Sequence, residues 1–158
     1  MTVTAGLSPQ NAREAIARTL ESLRDVKVYP YAPNVEVDDV LDDYPCVIIR
    51  HSRSPYAPLG GDRTGFAGTF GPRGLANMSF DLELLTQSAD GITAEKTMDE
   101  YVAAGTGAGL SMWDALAADT TFGNVVGGSV VTNFVAPRRA GRGVWSATWT
   151  VTIMQRKS

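Results

Sequence analysis

The stretch VWSATWTVTIM, residues 144–154, decides the fold class. Trp145, Ala147, Trp149, Val151 and Ile153 take every second place, and Ser146, Thr148, Thr150 and Thr152 fill the places between, with Val144 and Met154 at the ends. Successive side chains of a strand point to opposite faces, so this period predicts a strand with one apolar face on a core and one hydroxyl face turned away. Asn77–Thr86 repeats the pattern: Met78, Phe80, Leu82 and Leu84 alternate with Asn77, Ser79, Asp81 and Glu83. One-sided alternation belongs to antiparallel sheets rather than to the continuous apolar runs of parallel ones.

Outward from these two strands, Val125–Val135 is β-branched and reads as the hairpin partner of Val144–Met154, with Gly127-Gly128 as a bulge. Ala136–Gly143 between them becomes a protruding tip carrying Arg138, Arg139 and Arg142. Val26–Tyr29, stopped by Pro30 and Pro33, and Cys46-Val47-Ile48-Ile49 are shorter strand candidates. Ser8-Pro9 opens a helix, Ser as cap and Pro at its first position, with Ala12, Ile16, Leu20 and Leu23 as its apolar stripe. Arg13, Glu14, Arg18 and Glu21 fall mainly on the rest of that wheel, and the helix is expected to end near Leu23–Asp25. Thr93 is expected to cap a helix reaching Ala104, with Met98, Tyr101 and Val102 inward. Ser111 and Asp114 form a capping-box-like pair ahead of a short helix. Residues 51–74 hold Pro55, Pro58 and Pro72 and six glycines without helical or strand period, so they read as one long loop, either an arm that orders against a partner or a merely mobile loop. The expected architecture is one α+β domain over residues 1–158. Its four- to five-stranded sheet is mainly antiparallel, with helices packed on one face.

Composition narrows the function. The 158 residues are 44% hydrophobic and 20% charged, ordinary values for a globular chain. No run approaches the roughly 20 apolar residues of a membrane-spanning helix, and Met1–Leu23 lacks the apolar core of a secretory leader. With a single cysteine, Cys46, an intrachain disulfide is impossible, and one Cys with one His, His51, makes a poor zinc site. The formal charge of -3 argues against tight binding of free nucleic acid.

That charge is unevenly spread. Ala32–Pro45 holds Glu36, Asp38, Asp39, Asp42 and Asp43 with no basic residue, and Asp81–Glu100 holds six acids against Lys96. Arg50–Gly74 carries Arg50, Arg53, Arg63 and Arg73 against Asp62, and Pro137–Lys157 is basic throughout. Segregated patches fit two readings, solvated loops, which the charge pattern alone favours, and self-assembly, one copy's positive edge meeting its neighbour's negative edge.

Catalytic templates fail on inventory. G-x-S-x-G, the P-loop and H-E-x-x-H are missing from the sequence. Gly105-Thr106-Gly107-Ala108-Gly109-Leu110 departs from G-x-G-x-x-G at its last place and follows a helix, so it reads as a helix–helix joint. His51 as a base for Cys46 or Ser52 sits in no nucleophile motif. The acidic run 36–43 lacks the glycine and terminal Glu of an EF-hand and reads as a solvated face. The expectation is a protein without catalysis, metal or cofactor.

The succession of elements then takes on a meaning. The N-terminal helix runs into LRDVKVYPYAPNV, followed by YPCVIIR, MSFDLELLTQSAD, TAEKTMDEYVA, GTGAGLSMWDALAAD, NVVGGSVVTNFV and WSATWTVTIMQ. Together these resemble the tail terminator (tail completion) proteins of long-tailed bacteriophages, over about Pro9 to Gln155. The resemblance implies a structural virion protein that closes as a homohexameric ring on the last ring of the tail tube. Such a ring ends tube polymerisation and docks the head-side connector or stopper. It implies a place at the head-proximal end of the tail, after synthesis in the host cytoplasm, with tube protein, connector and further copies of itself as partners. Transient contact with DNA in the lumen is compatible with it, and a membrane partner is not implied. On that reading Arg138, Arg139 and Arg142 make inter-subunit or tube-facing contacts, the alternative being a solvated turn. Arg53, Arg63, Arg73, Tyr56, Phe66 and Phe70 anchor the long loop on a neighbour, and Trp113 is interfacial or core. Two other readings stay open: a head-completion stopper or other neck component, and, from a different class, a small cellular binding domain or a hydrolase centred on His51.

Overall fold

The computed structural model describes residues 8–23, 25–31, 44–57, 77–104, 111–141 and 143–154, the side chains of 53–57 and of Asn77 excepted. The elements follow the order α1 (Pro9–Leu20), β1 (Lys27–Tyr29), β2 (Cys46–Ala57), β3 (Asn77–Gln87), α2 (Gly91–Val102), α3 (Met112–Ala118), β4 (Gly128–Gly141) and β5 (Val144–Met154). They build an α+β unit with one five-stranded sheet, ordered β1-β2-β3-β5-β4. The sheet is mixed. β2–β3, β3–β5 and β5–β4 pair antiparallel, whereas β1 lies parallel to β2. Residues 30–45, which separate β1 from β2, give the chain the length a parallel return requires.

One face of this sheet holds the core. Val47 and Ile49 of β2, Phe80, Leu82 and Leu84 of β3, and Ala147, Trp149, Val151 and Ile153 of β5 are buried there. Ala12, Ile16 and Leu20 of α1, Met98 and Tyr101 of α2, and Met112 and Leu116 of α3 close over them, which places the helices on that face. Among the described residues, no helix is long and apolar enough to cross a membrane. Local chemistry accounts for the helix starts. Ser8 accepts from the Asn11 N–H at 3.1 Å and Ser111 from the Asp114 N–H at 3.2 Å, each satisfying a donor with no partner inside the helix.

Several boundaries differ from the sequence reading. Asp90, not Thr93, caps α2: its carboxylate accepts from the Ile92 N–H at 3.0 Å, and the Thr93 hydroxyl donates to it at 3.1 Å. α1 stops at Leu20, and Asp25 turns the chain with φ 60°. Gly127-Gly128 forms no bulge; β4 begins at Gly128 and shifts register between Val131 and Asn133, Val135 and Arg138, and Arg139 and Gly141.

Two corrections are larger. β2 does not end at Ile49 but runs to Ala57, so residues 51–57 are strand and not loop. His51 pairs with Phe80 and Tyr56 with Met78, leaving 52–55 opposite Ser79 alone. That bulge absorbs Pro55, which cannot donate to a ladder, and it erases the period-two pattern. The hairpin tip shrinks likewise. β4 continues through Ala136–Gly141, because its bulges tolerate Pro137 on an edge strand. The remainder of the long loop, 58–74, the acidic run 36–43 and the joint 105–110 lie outside the described residues.

Candidate functional site

The sheet face away from the helices carries the polar chemistry of the domain. The register places Thr150 beside Asp81, Thr148 beside Glu83 and Thr152 beside Ser79. Thr150 Oγ1 donates to Asp81 Oδ1 at 2.7 Å and Ser146 Oγ to Glu83 Oε2 at 3.0 Å. Thr152 Oγ1 lies 2.8 Å from Ser79 Oγ and 3.0 Å from Thr132 Oγ1. Arg50 closes the row on β2, with Nη2 at 3.4 Å from Glu83 Oε1. Arg50 is about half exposed, so this pair adds little stability by itself. The row as a whole does something else. Ser146 and Thr150 spend their donors on the carboxylates, and Ser79, Thr132 and Thr152 bond one another, so a second surface covering those five hydroxyls leaves them bonded within the sheet.

β4 forms the open edge of this face. It is 14 residues long and, among the described residues, paired on one side only, with β5. Val130, Val135 and, at the end of β5, Met154 are exposed apolar side chains along it, at 59%, 37% and 49%. By register all three share the hydroxyl face: Val130 stands opposite Thr152, Val135 opposite Thr148, and Met154 opposite Gly128.

The predicted contact residues divide accordingly. Arg138 and Arg139 are exposed, but on β4 opposite Ser146 and Trp145 rather than on a free tip. Arg138 therefore sides with the hydroxyl face. Arg139 sides with the helices, its Nη2 close to Gly91 at the start of α2. Arg53 and Tyr56 belong to the backbone of β2, while Arg63, Phe66, Phe70, Arg73 and Arg142 lie outside the described residues. Trp113 is half-buried within the helix face, its ring 5.2 Å from Phe134 and 6.0 Å from Trp149. Trp149 is fully buried and Trp145 only partly.

His51 and Cys46 do not meet. Cys46 pairs with Leu85 on the hydroxyl face, and His51 with Phe80 on the helix face. The imidazole stacks on Phe80 at 5.2 Å between centroids. Burial, and then the nearby Arg13 charge, lower its pKa from the ordinary 6.5. Arg13 is the residue sequence reasoning missed. Placed off the apolar stripe, it is nonetheless buried, with Nη1 donating to the carbonyls of Pro30 at 2.9 Å and Ile49 at 3.0 Å. The available signal was its place three residues before Ile16, on the flank of that stripe. No protein-family model matches this chain, and no curated protein does either.

The titratable groups give a pH prediction. A histidine whose folded-state pKa is lowered costs nothing while both states are neutral, so stability is unaffected above 6.5 and falls as pH drops through that value. Asp119 acts in a separate window. Its pKa is lowered from 3.8, first by the Thr121 hydroxyl and then by the N–H groups of Gly123 and Thr121. That stabilisation is complete above 3.8 and is lost as pH falls through the lower folded-state value. Urea midpoints are expected to begin falling as pH drops through 6.5, and Arg13→Met is expected to shrink that fall. An identical fall in the parent and the variant would contradict this assignment.

Proposed function

We propose that this chain is a structural assembly protein of the tail-terminator kind, whose copies join edge to face in a ring that caps a phage tail tube. The observation that carries the reading is the pairing of a long strand, β4, at the edge of the sheet formed by the described residues, with a polar face on which five hydroxyls are bonded within the sheet. Subunit contacts need such surfaces, because every group they cover must keep its hydrogen bond. A ring also needs heterologous contacts, one patch against a different one on the next copy. Among the described residues the two edges of this sheet, β1 and β4, differ in length and chemistry, which suits head-to-tail joining. The sequence resemblance to tail terminators supplies the tube and the connector as partners, and the virion as the location.

The test is assembly. The chain mixed with tail tubes is expected to form rings at the tube end, visible by electron microscopy, and to stop elongation. Arg138→Glu with Arg139→Glu is expected to keep the circular dichroism of the parent and to lose most of that capping. Normal infectious tails from the double variant would remove β4 from the account. A lone globule turning over a small molecule would overturn the reading altogether.

A further inference from the structure

Arg13 holds a positive charge in an unusual place. Its side chain is 9% exposed, yet among the described residues no carboxylate pairs with it. Both of its hydrogen bonds leave from Nη1 and end on neutral carbonyls. The guanidinium lies 4.8 Å from the Tyr31 ring and 5.5 Å from Phe80, aromatic surfaces that fix its plane. Nε and Nη2 make no hydrogen bond among the described residues, and neither is sealed from solvent. The guanidinium thus keeps free the half of its fork that a carboxylate takes bidentately. A buried cation without its anion is costly, and an arriving carboxylate removes that cost.

We propose that Arg13 is a receptor for a carboxylate supplied by a second copy of this chain, from the exposed stripe of Ile92, Glu95 and Asp99 on α2. Spacings of three and four bring these residues to one side of the helix, and all three are exposed, Ile92 at 64%. The two patches are complementary in charge and in apolar surface, since Tyr31, 47% exposed, flanks the cation as Ile92 flanks the acids. They also lie toward opposite edges of the sheet. α1 packs beside β1, whereas α2 packs against β3, β5 and β4. A contact between them is head-to-tail, the kind that closes into a ring where the rotation between copies allows it. The proposal rests on the assembly reading above and names one of its contacts.

The experiment uses the full chain and two readouts, mass against concentration by sedimentation and the NMR titration of His51, the sole histidine. Arg13→Met, which keeps an apolar stem between the rings, is expected to weaken self-association at least about tenfold. Glu95→Gln with Asp99→Asn is expected to do the same. It changes only exposed helix positions, so it decides the matter if the Arg13 variant fails to fold. Combining both sets should add little, because each removes the same pair. In the associated parent the arriving carboxylate offsets the Arg13 charge and raises the His51 pKa, and both variants lose that rise. Association of parental strength in both variants overturns the receptor and leaves the ring reading standing. A chain that stays monomeric at every concentration and on tail tubes overturns both. If His51 titrates identically in the dilute monomer and the assembly, the anion does not come from a second copy.

Discussion

Truncating Trp149 to alanine is expected to lower the free energy of unfolding by about 3–5 kcal/mol. The indole is fully buried on the helix face of β5, with Phe134 at 5.0 Å and Trp113 at 6.0 Å between ring centroids. Leu82 and Phe134 stand opposite it on the two neighbouring strands. Three elements therefore line any cavity left behind, and a sheet held on both sides cannot collapse into it. Against a total stability of about 5–15 kcal/mol, the loss leaves a marginal fold. Trp149→Phe tests a finer point. The buried Nε1 of Trp149 donates to nothing among the described residues, and a stranded donor costs about 1–3 kcal/mol. Phenylalanine removes that donor together with a few ring atoms, two changes of opposite sign. The variant is expected within about 1 kcal/mol of the parent, and urea midpoints followed by far-UV circular dichroism read both. If phenylalanine costs as much as alanine, the indole N–H has a partner and this account of the core is wrong.

The same strand shows what a sequence discloses. Trp145–Ile153 and Met78–Leu84 were legible because one-sided burial writes itself into alternate positions, and the register sets the two strands side by side. Ser8 and Ser111 were legible because capping is local: the acceptor lies within three residues of the donor it satisfies. Whatever depended on a distant partner was not. Residues 51–57 look aperiodic, yet β3 holds them by pairing across a bulge that the sequence of β2 does not reveal. Pro137 and two glycines made Ala136–Gly143 resemble a loop, although β5 keeps pairing with it through successive shifts. Arg13 illustrates the limit most clearly. A charged residue beside an apolar stripe is expected in water, and only the fold brings the carbonyls of Pro30 and Ile49 and the rings of Tyr31 and Phe80 around it. The polar face of the sheet was half legible. The hydroxyl face of β5 could be read directly, but its closure by Asp81, Glu83 and Ser79 needed the register of β3.

Gly143→Ala is expected to cost about 3 kcal/mol or more, for two reasons that a control can separate. The hairpin joining β4 to β5 turns at Gly143 with φ +70°, a conformation that costs an L side chain about 1–2 kcal/mol. A Cβ added there would also run into the carbonyl oxygen of Ser88, whose own N–H donates to Gly143 O at 3.0 Å. Backbone stands on both sides of that contact, so neither partner can swing away as a flexible side chain would. Relief requires moving Ser88, whose hydroxyl accepts from the Asp90 N–H at 3.2 Å, and Asp90 caps α2. The disturbance should therefore spread from the hairpin into the start of that helix. Gly123 supplies the control, with nearly the same backbone, φ +72°, but no atom within 4 Å of an added Cβ. Gly123→Ala should incur the conformational cost alone, about 1–2 kcal/mol. The gap between the two variants in thermal or urea unfolding measures the Ser88 contact, and equal losses would mean that conformation alone demands glycine at position 143.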